Sequence, residues 1–294
     1  MNMQGKICLI TGATGGMGEV TARALAQAGA TTLVVGRDAS KGKATVERIR
    51  EQTKNPDVHL LLADLSVQAQ VRQLAAQVQR RYDHLDVLVN NAGAVFNTRQ
   101  FTTDGIEMTF ALNHLSYFLL TTLLLDQLKA GAPSRIINIA SATHQAAKSS
   151  TIEDWQSQQS YSMTQAYHRS KLANLLFTYE LARRLKGTGV TVNAVKPGFT
   201  KTGLGKNSGG LIGLFLRVMA ALMAQSAEKG AETSIYLATS PDVAQVSGKY
   251  YDRQVAIQSS PDSYDVELGK RLWALSEQLT QAGTQLKDSY KRSA

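Results

Sequence analysis

Short apolar runs rich in Val, Ile and Leu alternate along this chain with longer amphipathic stretches, the pattern of repeated strand–helix units that build a parallel sheet. Strands are predicted over 6–11, 31–36, 58–63, 85–90, 135–140, 190–195 and 248–252. Helices are predicted over 17–28, 40–52, 66–81 and 161–186, with Gly29 and Gly187 as stop signals. Right-handed crossovers then place helices on both faces of one α/β, doubly wound, seven-stranded parallel sheet. Two segments break the rhythm: 142–160, polar and irregular, and 199–227, Gly-rich and polar at first and strongly apolar afterwards. Both are expected to be loops that border a site.

Composition narrows the class. With 43% hydrophobic residues and only five prolines among 294 residues, the chain can bury enough surface to fold, and a disordered chain is excluded. No repeat, linker or charge block divides it, so a single domain over 1–294 is expected. The lone Cys8 cannot form an internal disulfide and no charged-then-apolar leader precedes the first apolar run, which points to a reducing, cytoplasmic compartment. The apolar stretch 211–224 is interrupted by Arg217 and falls short of the ~20 residues a bilayer span needs. A net charge of +9 suits nucleic acid, a membrane surface or an anionic small molecule equally. Its distribution is more telling: between Glu180 and Glu228 there are seven cations and no acid, in the same interval as the run LIGLFLRVMAALMA.

The segment TGATGGMG, Thr11 to Gly18, follows the first strand and opens the first helix. A helix N-terminus at the carboxyl end of a parallel strand offers free N–H groups and a positive dipole to phosphate, and glycines at 12, 16 and 18 let backbone approach a pyrophosphate. The second strand ends VVGRD. Gly36 followed by Arg37 leaves room and charge for the 2′-phosphate of NADP, and Lys41, one turn on, adds a second cation. Asp38 dissents, because an acid here can instead accept the ribose hydroxyls of NAD.

The helix beginning at 161 carries Tyr167-His168-Arg169-Ser170-Lys171. Residues four apart share a helix face, so the Tyr167 hydroxyl and the Lys171 ammonium can converge. A free tyrosine titrates near 10 and acts best as a base nearer neutrality. A shift of ~3 units is therefore needed, and Lys⁺ together with a cationic nicotinamide has the sign to provide it. Asn90-Asn91-Ala92-Gly93 closes the fourth predicted strand and Ser141 follows the fifth.

With TGATGGMG, VVGRD, ADL (63–65), NNAG, LNHLSYFLLT (112–121), RIINIAS (135–141), YHRSKLANLLFTYELARRL (167–185) and Pro197-Gly198, the chain resembles the short-chain dehydrogenase/reductases, and within them the retinol dehydrogenase-like, NADP-dependent carbonyl reductase branch. The resemblance implies a Rossmann-type sheet and hydride transfer between a nicotinamide and a carbonyl or alcohol of a hydrophobic small molecule, of retinoid, steroid, fatty-aldehyde or polyketide type. It implies that Ser141 binds the substrate oxygen, Tyr167 is the acid/base, Lys171 holds the nicotinamide ribose and lowers the tyrosine pKa, and Asn113 holds a relay water. By the same resemblance Gly12, Thr14, Gly16, Met17 and Gly18 line the pyrophosphate. Asp64 and Leu65 lie by the adenine, Asn91, Ala92 and Gly93 along the adenosine side, and Pro197, Gly198 and Thr200 by the nicotinamide. It further implies a homodimer through the long helices and makes 199–227 the substrate lid. Trp155 and Tyr161 of the 142–160 insertion are expected to form a wall of the substrate mouth.

Other classes are poorly supported. There is no GxSxG elbow, and the five histidines show no zinc spacing, so no metal is expected; His144 and His168 read as structural or surface residues. No signature of nucleic-acid binding accompanies the cations. Peripheral membrane contact by the lid remains an option, since basic flanks and a short apolar helix suit an interface. The alternative to an enzyme is a non-catalytic NADP-binding redox sensor.

Overall fold

The apolar runs form strands whose alternate side chains feed two different cores. In a computed structural model of the chain, which describes residues 2–147, 153–197 and 227–281, the order begins β1 (Ile7–Thr11), α1 (Gly16–Gln27), β2 (Thr31–Gly36), α2 (Ala39–Thr53), β3 (Val58–Leu62), α3 (Gln68–Arg81) and β4 (Val87–Asn90). It continues with α4 (Met108–Phe110), a π-helical turn (Ala111–Leu115), α5 (Ser116–Leu123), α6 (Leu125–Ala130), β5 (Ser134–Ile139), α7 (Met163–Arg184), β6 (Val190–Val195), α8 (Ala227–Thr239), β7 (Lys249–Asp252), β8 (Val255–Ile257) and α9 (Val266–Thr280). The sheet order is β3-β2-β1-β4-β5-β6-β7-β8. On β1, Ile7 and Leu9 point into the layer formed by α3, α5, α7 and α9, whereas Cys8 and Ile10 point into the layer of α1, α2 and α8. Both faces are therefore covered, as the continuous rather than alternating apolar strands require.

Each predicted strand and helix is present with its ends within two residues of the expected position. The expected seven-stranded parallel sheet needs one correction: there are eight strands, and β8 runs antiparallel to β7. The reversal is made by Arg253 and Gln254, both at positive φ (49° and 65°), the conformation of a two-residue turn that matches strand twist. Such turns are usually marked by Asn or Gly, and β8 is three exposed residues long, so neither turn chemistry nor apolar pattern announced it.

The last helix, α9, is capped by the Asp265 carboxylate, which accepts from Leu268 N at 2.9 Å. It lies along α7 and buries Trp273 against Phe118 (4.9 Å, edge-on) and Phe177 (5.9 Å), with the Arg184 guanidinium 4.0 Å over the indole. As a result every residue of α7 from Arg169 to Leu181 is buried within the single chain. Trp273→Ala should remove about 3–5 kcal/mol of stability, measurable by urea unfolding; a loss under about 1 kcal/mol would mean that α9 is not an integral part of the core.

Candidate active site

Strand β1 sits where the chain direction across the sheet reverses, with β2 on one side and β4 on the other, and the groove outside the carboxyl ends of such strands is where open α/β sheets bind ligands. The β1–α1 turn brings Gly12, Thr14, Gly16, Met17 and Gly18 to that groove. Gly12 adopts φ +64°, and a Cβ there would lie 2.8 Å from the Ala92 Cα, so close passage of the β1 and β4 turns requires glycine. Thr11 Oγ1 accepts from the N–H groups of Asn91 (2.8 Å) and Ala92 (3.0 Å), while Asn91 Nδ2 donates to the carbonyls of Thr11 (2.8 Å) and Gly12 (3.3 Å). The Asn91 amide thus ties the two turns together.

At the end of β2 a Cβ on Gly36 would meet Thr14 Cγ2 at 2.3 Å, so no acidic side chain fits at that position. Asp38, the acid that kept NAD open, is engaged elsewhere: its carboxylate caps α2 by accepting from Lys41 N at 2.9 Å. Arg37 is exposed and reaches toward Asp64 (3.9 Å), whose carboxylate also accepts from Ser66 N (3.0 Å) and Ser66 Oγ (2.7 Å). The Lys41 ammonium lies 3.1 Å from where a Cβ on Gly15 would be, directly over the glycine turn. Leu65 is buried in the core.

On the other side of β4, Ser141 follows β5 in extended conformation and its Oγ accepts from Thr143 N (3.3 Å) and Thr143 Oγ1 (3.1 Å). With both acceptor positions engaged, the Ser141 proton is left to be donated on the side of the Tyr167 phenol, whose pKa this hydroxyl lowers. Lys171 lies one turn further along α7, its Nζ 5.5 Å from the Tyr167 ring centroid and 3.1 Å from the Ile139 carbonyl oxygen. Gly93 comes within reach of both Asn113 and Lys171, a Cβ on it lying 3.2 Å from Asn113 Oδ1 and 3.7 Å from Lys171 Nζ. The structure brings Ser141, Tyr167, Lys171 and Asn113 together.

Asn113 sits in the π-helical turn; its side chain accepts from Ala94 N (2.9 Å) and donates to Ala94 O (3.0 Å) and Ser170 Oγ (3.1 Å), which leaves one lone pair on Oδ1. Its carbonyl oxygen accepts from Asn174 Nδ2 at 3.0 Å and has one lone pair left. Burial pushes the Tyr167 phenol up to about 12, and the Ser141 hydroxyl acts in the opposite direction. Burial also lowers Lys171 to about 8.

One expectation changes: Trp155 is not at the mouth. It is buried and stacked on Phe110 (6.1 Å, 21°), while the Tyr161 hydroxyl donates to Phe96 O at 2.6 Å. Pro197 follows β6 at the groove and is half-buried; Gly198, Thr200 and nearly all of the expected 199–227 lid lie outside the described residues, as do 148–152 of the insertion. Sequence reasoning missed Thr11, Thr143 and Asn174. Of these only Asn174 carried a signal, since it stands three residues after Lys171 and therefore on the same helix face.

The family model for the short chain dehydrogenases matches residues 6–210. Among curated proteins, human retinol dehydrogenase 13 is 42% identical over 280 residues, covering 94% of this chain and 84% of its own. Among solved structures, an uncharacterised protein from Mycobacterium paratuberculosis aligns with a TM-score of 0.76 at 32% identity, covering 95% of both chains. A short chain dehydrogenase from Burkholderia cenocepacia J2315 in complex with NADP aligns at 0.68 and 26% identity, covering 85% of this chain and 96% of that one.

The Lys171 value of about 8 lies below its ordinary 10.5, so the folded chain releases this proton before the unfolded chain does. The buried ammonium therefore costs stability at pH 7, and the cost fades as pH rises from about 8 through 10.5. Lys171→Met leaves the Ile139 carbonyl bonded to Asn174 Nδ2 at 3.1 Å. The variant should raise Tm at pH 7, by roughly 2–4 °C for each kcal/mol relieved, with the gain shrinking by pH 10. Thermal melts at both pH values check this, and a lowered Tm at pH 7 counts against it.

Proposed function

Because the chain belongs to the short-chain dehydrogenase family, and so is an oxidoreductase that acts between alcohols and carbonyls with a nicotinamide cofactor, we propose that it is an NADP-dependent reductase of hydrophobic carbonyl compounds. The carrying observation is the convergence of Ser141, Tyr167 and Lys171 beside the groove, with Tyr167 held as a neutral phenol at pH 7. A neutral phenol is the correct state for a general acid. In the proposed direction, carbonyl reduction, Tyr167 gives its proton to the oxygen that becomes the alcohol.

The groove fits a dinucleotide. The glycine turn at a helix N-terminus, its close approach to Ala92 and the Lys41 ammonium above it form a cradle for a pyrophosphate. When bound, the nicotinamide supplies the hydride, and the protein supplies orientation and charge. Three features support NADP over NAD: Gly36 excludes an acid, Asp38 is spent on capping, and Arg37 and Lys41 are the cations nearby. Gly12, Thr14, Gly16, Met17, Gly18, Asp64, the Leu65 backbone, Asn91, Ala92, Gly93, Pro197, Gly198 and Thr200 are proposed as the remaining cofactor contacts.

Ser141 would turn its proton from the Tyr167 oxygen to the substrate carbonyl, fixing it beside the Tyr167 hydroxyl and polarising it. Lys171 would bind the nicotinamide ribose and return a proton to Tyr167 after transfer, which a value near 8 allows at neutral pH. The Asn113 carbonyl retains one lone pair for the relay water. The substrate class rests on the apolar run in 199–227 and on the retinol named for the human relative: retinoid-, steroid-, fatty-aldehyde- or polyketide-like carbonyls. Among the described residues no helix is long and apolar enough to cross a membrane. Peripheral contact of the lid with a membrane and a cytoplasmic location remain parts of the proposal, as does a homodimer, although α7 has no free face to offer one over 169–181.

NADPH oxidation followed at 340 nm with a panel of long-chain aldehydes, retinal and ketosteroids tests this reading. Turnover with at least one is expected, and Tyr167→Phe should lower kcat by about 10²–10⁴-fold. Full activity in that variant removes Tyr167 from the chemistry. Arg37→Ala should raise KM for NADPH by about tenfold or more and leave KM for NADH nearly unchanged; an equal effect on both would count against the 2′-phosphate contact.

A further inference from the structure

His144 lies three residues after Ser141, is 1% exposed, and is not used by the chemistry described above. Its Nε2 accepts from the backbone N–H of Ser260 at 2.9 Å. A backbone amide can only donate, so Nε2 carries the lone pair and the ring proton is on Nδ1, where it is donated to the Ser141 carbonyl oxygen at 2.6 Å. The geometry alone therefore selects the neutral Nδ1–H tautomer. The ring is held edge-on to Tyr250 at 5.3 Å and 89°. Ser260 is held in turn: its carbonyl accepts from Ser263 Oγ at 2.6 Å, and Ser263 and Ser259 continue the chain of hydroxyls to Tyr179 on α7 (2.6 and 2.7 Å).

We propose that His144 is a positioning residue for Ser141: by bridging the Ser141 peptide to Ser260 it fixes the direction of the Ser141 hydroxyl, and so makes the reaction depend on a segment that lies beyond residue 210. The 3₁₀ turn 142–146 is short and carries both partners of this lock, Thr143 on the Ser141 hydroxyl and His144 on its carbonyl. Without the imidazole, the Ser141 peptide can rotate, and the hydroxyl loses its aim at the Tyr167 side. Placement of a polar group within an ångström of its productive position is worth up to about a hundredfold in rate. The bridge also works in one protonation state only. A second ring proton would set Nε2–H against Ser260 N–H, donor against donor, and burial and Lys196 both hold the ring pKa below its ordinary 6.5 against the opposing Ser141 bond. Among the described residues, the charged and titratable groups that face the ring are Lys196 at the end of β6, itself paired with Asp252 of β7 at 2.8 Å, and Tyr250 of β7, while His168 of α7 bonds Ala146 O in the same turn.

The proposal rests on the oxidoreductase reading, and three measurements keep the two separable. In His144→Leu, kcat for carbonyl reduction should fall about tenfold to a hundredfold, while the NADPH Kd from cofactor fluorescence stays within about twofold. His144→Asn, whose Nδ2 can still donate to the Ser141 carbonyl, should recover most of kcat and lose the acid limb that the wild type shows in its kcat–pH profile. Unchanged kcat in the Leu variant overturns the proposal; so does an Asn variant as impaired as Leu, or an acid limb that persists in the Asn variant and so belongs to His168 or another group. Independently of turnover, ¹⁵N-histidine NMR of the wild type at pH 7 should show the Nδ1–H tautomer at residue 144, and an Nε2–H tautomer removes the bridge. A wild type that binds NADPH yet reduces no carbonyl sinks the oxidoreductase reading, and the NMR then decides the bridge by itself.

Discussion

The structure depends on a polar seam buried between the sheet and helix α7. Asn90 Nδ2 donates to Thr121 Oγ1 and to Asn138 Oδ1 (both 2.9 Å), Asn138 Nδ2 donates to Thr178 Oγ1 (3.0 Å), and Thr178 Oγ1 donates to the Asn174 carbonyl (2.7 Å). Asn174 Nδ2 then bonds the carbonyls of Asn113 and Ile139, the latter shared with Lys171. None of Asn90, Asn138, Asn174 and Thr178 is exposed to solvent. An apolar interface tolerates sliding and repacking, but buried amides lose stability for each partner missed, so this seam admits one register of α7 against β4 and β5. That register is what sets Tyr167 and Lys171 opposite Ser141.

The groups at the end of the seam share one physical setting. Burial disfavours charge, and it acts on all three: it raises the Tyr167 phenol, lowers the Lys171 ammonium and keeps His114 neutral down to about 4. His114 links Asn174 (3.3 Å) to Ser276 of α9 (3.1 Å), just as His144 links Ser141 to Ser260. The segment after β8 is thus joined to the site at two points, through imidazoles kept uncharged by the same dry surroundings. A site so dry strengthens any charge a ligand brings, since the Coulomb interaction grows as water is excluded.

Much of this was legible along the chain. The strand–helix alternation gave the architecture because both faces of a parallel sheet must be covered, and the glycine turn, Ser141, Tyr167 and Lys171 stand in local patterns whose spacing has one geometric meaning. The NADP reading could be only half drawn from VVGRD, because Asp38 can face a ribose or turn back to cap its own helix, and the residues do not say which. The eighth strand was hidden by a turn without Asn or Gly and by a strand with no buried face. Trp155 looked like a mouth residue because it lies in an insertion, yet it stacks on Phe110, a contact between segments some 45 residues apart.

What the sequence by itself determined is therefore what depends on neighbours along the chain: the periodicity of strands and helices, the phosphate-ready turn, and the i,i+4 pairing of Tyr167 with Lys171. What only the tertiary structure decided depends on neighbours across it. The Asn113 amide is bonded to Ala94 and Ser170, the Lys171 ammonium donates to the Ile139 carbonyl, and the two buried histidines connect to serines more than a hundred residues away. Hydrogen bonds of that kind are short-ranged and directional, so their partners are fixed by where the folded backbone brings donors and acceptors together, and no spacing in the sequence encodes that meeting.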